Sequence, residues 1–149
     1  RLTINNFKSI RHMDIEDIDN ALILVGKKMP ENRRDDMCTK NELNSILQKL
    51  TQIYRSVYGE NLVQVILYGS YARGDYHTDS DVDVVAIVHG DRKTLQQQLK
   101  KVWDFSCELE LEYDTILSPT VIPYEEFKQY QTVLPYYRNI SQEGVVISA

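Results

Sequence analysis

Asp81 and Asp83 open the apolar run "DVDVVAIV", residues 81–88, where a strand bound for a core would ordinarily carry no charge. Side chains alternate faces along a strand, so the two carboxylates point to one side, roughly 6.5 to 7 Å apart along the backbone. Like charges at that spacing repel, and each is costly beside an apolar core unless a divalent cation or hydrogen bonds compensate. Hard oxygen ligands of this kind suit Mg²⁺, which binds one or two carboxylates together with substrate phosphates. The alternative is a strand entry with solvated caps.

The residues just upstream weigh against that alternative. After the run "LVQVILY", Gly69 lets the backbone turn tightly and approach a ligand closely, and Ser70 offers a hydroxyl and an amide near the expected start of a short helix. Such a turn favours phosphate oxygens. A phosphate cradle and a carboxylate pair in one short segment predict phosphoryl or nucleotidyl transfer, in which positioning and charge neutralisation carry most of the catalysis.

Gly69-Ser70, ten intervening residues, then Asp81-Val82-Asp83 resembles the signature of the DNA polymerase beta nucleotidyltransferase superfamily. The fuller text "GSYARGDYHTDSDVDV", with Ala72, Arg73, Gly74 and Ser80 in place, is similar to its minimal nucleotidyltransferase family, over about residues 40–149. With each fixed residue at about 5 to 7% of ordinary composition, the four-residue pattern arises by chance on the order of once in 500 chains of this length, so coincidence is a poor account of it. The resemblance implies that Gly69 and Ser70 hold the phosphates of ATP or another nucleoside triphosphate. It implies that Asp81 and Asp83 hold one or two Mg²⁺ ions, and that Arg73 and Ser80 belong to the nucleotide-binding set. Arg73 fits equally a role of pinning the loop through Asp75 or Asp79. His77, in a polar loop, is not expected to be a ligand. The family takes a third carboxylate from a later strand. In "CELELEYDTIL" Asp114 best matches it, as metal ligand and general base, with Glu110 and Glu112 as substitutes.

Those residues need a frame. Thr39 stands three residues before Glu42, a capping box, and Leu43, Ile46, Leu47, Leu50, Ile53, Tyr54 and Val57 recur at helical spacing, which predicts a helix over about residues 40–58 that Gly59 ends. "LVQVILY" reads as a strand buried on both faces, "DVDVVAIV" as a second strand, and "RKTLQQQLKKVWDF" as an amphipathic helix. The strict alternation of "CELELEYDTIL" predicts a third strand, with Glu108, Glu110, Glu112 and Asp114 sharing one face. One or two short helices interrupted by Pro135 follow, and "VVIS" closes as a strand or tail. The fold class expected is α/β (α+β): a small mixed β-sheet with helices packed mainly on one face, a nucleotidyltransferase fold with the metal site at the sheet's edge.

At 149 residues with 42% hydrophobic and 26% charged residues the chain reads as one globular domain, with an extension in front. That extension, residues 1–36, precedes a nucleotidyltransferase domain over residues 37–149. Residues 2–26, "LTINNFKSI" through "ALILVG", resemble the opening strands of an ATPase of the structural-maintenance-of-chromosomes or ABC type. Glu31, Asn32 and Arg33 stand where a phosphate loop needs Gly, Lys and Ser or Thr, so no such loop forms. Those strands are expected to dock on the main sheet or to pair with a second copy as a homo-oligomer.

A net charge of −5 argues against bulk nucleic-acid binding. With no run long enough for a membrane helix and no signal-peptide pattern, a cytoplasmic location is expected. Cys38 and Cys107 read as reduced thiols. The activity expected is Mg²⁺-dependent transfer of a nucleoside monophosphate, AMP in the first instance, to a hydroxyl acceptor. Because the chain is short, a partner is expected to present that acceptor. The resemblance implies a helical HEPN-type ribonuclease toxin, which makes this chain its antitoxin. The competing readings are a catalytically silent binding module and transfer to a small molecule such as an aminoglycoside.

Overall fold

Thr39 caps the first long helix, α1 (Lys40–Tyr58), by the reciprocal bonds its spacing from Glu42 predicts: the Glu42 amide donates to the Thr39 hydroxyl at 3.2 Å, and the Thr39 amide donates to the Glu42 carboxylate at 2.9 Å. In this computed structural model, residues 38–148 are described, together with two short strands nearer the start, β1 (Thr3–Ile4) and β2 (Met13–Asp14). These two pair antiparallel with each other, Thr3 opposite Asp14 and Ile4 opposite Met13. The apolar strand expected at residues 21–26 and the domain boundary at 36/37 lie outside the described residues.

A 3₁₀ turn at Gly59–Asn61 leads from α1 into β3 (Leu62–Tyr68), and a one-turn helix, α2 (Ser70–Arg73), follows. Then come β4 (Val82–Val88), the long helix α3 (Arg92–Tyr113), β5 (Leu117–Pro123), α4 (Tyr124–Tyr130), α5 (Pro135–Glu143) and β6 (Val145–Ser148). The four longer strands form one sheet in the order β5-β4-β3-β6. β4 runs antiparallel to β3 and parallel to β5, and β6 runs antiparallel to β3. This is the mixed-sheet α+β architecture the sequence predicts.

The period of two along β4 divides its side chains between two cores. Val82, Val84, Ala86 and Val88 meet Ile46, Leu50 and Tyr54 of α1 and Leu95, Leu99 and Val102 of α3 on the first face. On the second face Val85 and Ile87, with Ile66 of β3, meet Phe127 of α4 and Tyr137 and Ile140 of α5. Ile46, Leu50, Val84 and Ile87 are all fully enclosed. Each such side chain contributes about 1.5–3 kcal/mol relative to exposure. The two long helices thus cover one face and the two short ones the other. Asp83 has the parity of Val85 and Ile87, so it belongs to the second face.

One expectation is corrected. "CELELEY" is helical, the last two turns of α3, and the strand lies further on, at "LSPTVIP". Leu95, Leu99, Val102, Ser106, Leu109 and Glu110 are buried at the 3.6-residue spacing that began at the front of the helix, and Leu and Glu are strong helix formers. Packing against α1 and the sheet therefore prevails over a local alternation built on only two leucines.

Candidate active site

In the sheet, Asp83 lies between two strands, opposite Tyr68 of β3 and opposite Ser118 of β5. The turn after β3 closes onto it. Gly69 has φ +75°, and a β-carbon there would lie 2.4 Å from Asp83 Oδ2, so only glycine brings the turn this close to the carboxylate. Asp81, one residue before β4 begins, receives a hydrogen bond from the Ser118 hydroxyl at 3.2 Å. Both aspartates are half-buried at the same end of the same strand. Gly69 is thus brought against Asp83, with Asp81 at the same end of the strand.

Ser70 begins α2, and its carbonyl accepts from the amides of Gly74 and Asp75. Gly74, with φ +83°, ends that turn and starts the loop back to β4. Ser80 closes the loop: its hydroxyl accepts from the His77 amide at 2.8 Å, and its own amide donates to the His77 carbonyl at 3.0 Å. Arg73 donates to Asp75 at 3.2 Å and to Glu143 of α5 at 3.4 Å. The adjacent Asp75 carboxylate holds its guanidinium charged more firmly than usual. Beyond Asp83, the Tyr68 and Tyr136 hydroxyls share a hydrogen bond of 3.2 Å, and their rings meet edge to face. Burial, and then Tyr136, push the Tyr68 phenol well above its ordinary range.

Asp114 is not on a strand. It caps the end of α3, exposed and in the left-handed conformation with φ +48°. Glu110 is buried and accepts from the Leu117 amide at 2.9 Å, while Glu112 pairs with Lys49 on the surface. Among the described residues no three of His, Cys, Asp and Glu come together as a metal-holding group. The residue that does reach the aspartate pair from the neighbouring strand, Ser118, was hidden in the sequence because "LSPTVIP" carries two prolines, which obscure a strand signal. The register that places Ser118 beside Asp83 comes only with the sheet.

Residues 43–147 match the nucleotidyltransferase domain family, and the chain belongs to that family. Two relatives from Methanocaldococcus jannaschii, each named "Putative protein adenylyltransferase", match it. One is 35% identical over 80 residues, covering 54% of this chain and 79% of the relative. The other is 28% identical over 101 residues, covering 68% of this chain and 93% of the relative. Among solved structures, a chain described as "toxin-antitoxin with AMP-PNP" overlays at a TM-score of 0.44 with 18% identity, over 67% of this chain and 70% of that one. No described helix is long and apolar enough to cross a membrane.

Proposed function

We propose that the protein transfers AMP from ATP to a hydroxyl on a partner protein, with Asp81 and Asp83 holding Mg²⁺. The observation that carries this reading is the contact of Gly69 with Asp83, which joins the turn after β3 to the carboxylate pair. Two half-buried carboxylates with a hydroxyl beside them form a hard oxygen donor set, and Mg²⁺ needs no more from a protein than one or two carboxylates when substrate phosphates complete its shell. When bound, the ion neutralises phosphate charge as pyrophosphate leaves. The chain's own residues supply position. Gly69 and Ser70 bring the backbone to the phosphates, Arg73 and Ser80 hold the loop that follows, and the aspartates fix the α-phosphate relative to the incoming hydroxyl. The names of the relatives support a protein as acceptor, and the motif resemblance makes a helical HEPN-type toxin the partner to test.

The test is transfer of label from α-labelled ATP, with Mg²⁺, to that partner. Wild type labels the partner, and Asp81→Asn together with Asp83→Asn lowers labelling by about 100-fold or more, since metal charge stabilisation is worth several kcal/mol. If wild type moves no label while the double variant still neutralises the partner, the protein is a binding module.

A further inference from the structure

Asp83 has a neighbour on each side in the sheet, Tyr68 and Ser118, and neither is acidic. Ser118 stands in register with Asp83 but spends its hydroxyl on Asp81, donating to Oδ2 at 3.2 Å. It is therefore beside one carboxylate and bonded to the other. A hydroxyl bonded to one oxygen of a carboxylate limits its rotation.

Ser118 does not sit there by chance of a loose edge. Its strand is held from the first face at three points: Glu110 accepts from the Leu117 amide at 2.9 Å, Trp103 Nε1 donates to the Pro119 carbonyl at 2.9 Å, and the Tyr54 hydroxyl donates to the Thr120 carbonyl at 2.8 Å. These contacts bracket Ser118 and set its height against Asp81 and Asp83.

Resting on the reading of the site as a metal-dependent adenylyltransferase, we infer that Ser118 is a positioning residue for that metal: its hydroxyl orients Asp81, and β5 contributes this hydroxyl where a third carboxylate could stand. Among the described residues the metal site is then one of two carboxylates, completed by the nucleotide's phosphates, and its affinity depends on how well Asp81 is aimed.

Mn²⁺ titration followed by electron paramagnetic resonance, on the full chain with a non-hydrolysable ATP analogue, tests this without turnover. Wild type binds Mn²⁺, Asp81→Asn abolishes binding, and Ser118→Ala weakens it about tenfold or more, the usual cost of losing a partner that orients a ligand. Ser118→Thr restores the hydroxyl and returns affinity to within about threefold of wild type. A merely structural role for Ser118 would lower the melting temperature and leave Mn²⁺ affinity where it was. If Ser118→Ala binds as wild type does while Asp81→Asn does not bind, the positioning role is overturned and the adenylyltransferase reading stands. If wild type binds no Mn²⁺, or Asp81→Asn binds it unchanged, both are overturned.

Discussion

At the scale of single residues, Gly69 is under the tightest constraint in the site. Gly69→Ala must place a β-carbon 2.4 Å from Asp83 Oδ2 while keeping φ at +75°, and an L-residue in that region costs about 1–2 kcal/mol before any clash. The side chain in the way is the proposed ligand itself. The expected outcome is a loss of transfer out of proportion to the loss of stability, read by comparing labelling rates with urea unfolding. Asp114 makes the opposite case. It is exposed, left-handed at φ +48°, and outside any metal-holding group of three or more His, Cys, Asp or Glu among the described residues. Asp114→Gly and Asp114→Asn are therefore expected to keep labelling within about twofold of wild type, as for surface changes worth under half a kcal/mol. A loss comparable to that of Asp81→Asn would restore Asp114 as the third carboxylate.

At the scale of elements, the edge strand β5 decides what the site contains. Its hold on α3 includes the buried Glu110, whose carboxylate accepts from the Leu117 amide. Glu110→Ala leaves that amide unpaired and is expected to cost about 1–3 kcal/mol in urea unfolding. This element also marks the limit of what the sequence tells. α1 was legible from Thr39, Glu42 and its leucines, and β3, α2 and β4 from the Gly-Ser turn and the runs on either side, because each signal is local. β5 was not. Its prolines suit an edge, where a missing N–H need not face a partner strand, and whether a strand is at an edge is a property of the sheet. The alternating acids of "CELELEY" imitate a strand because the register of α3 is fixed some twelve residues earlier, at Leu95 and Leu99. Ser118 could not be found until the strand was placed at Leu117–Pro123 rather than at "CELELEY".

At the scale of the whole molecule, the second face is closed by two short helices that bring residues to the site from far along the chain. α5 carries Tyr136 to Tyr68 and Glu143 to Arg73. What seats α5 is a junction at the other end of β4: Arg92 at the start of α3 pairs with Glu126 of α4, and the Tyr137 hydroxyl of α5 donates to the same carboxylate. Arg92, then Tyr137, holds the Glu126 carboxyl below its ordinary range against the opposing effect of burial. A carboxyl depressed on folding contributes stability at pH values above its unfolded range, about 4.3, and that contribution disappears as pH falls through the folded value. Glu126→Gln lacks that contribution at every pH. Wild type is thus expected to be the more stable of the two at pH 7, with the difference shrinking as pH falls below the unfolded range of about 4.3 in urea unfolding series. A gap between the two proteins that stays constant from pH 7 to pH 3 would show that the junction holds α5 by shape rather than by charge.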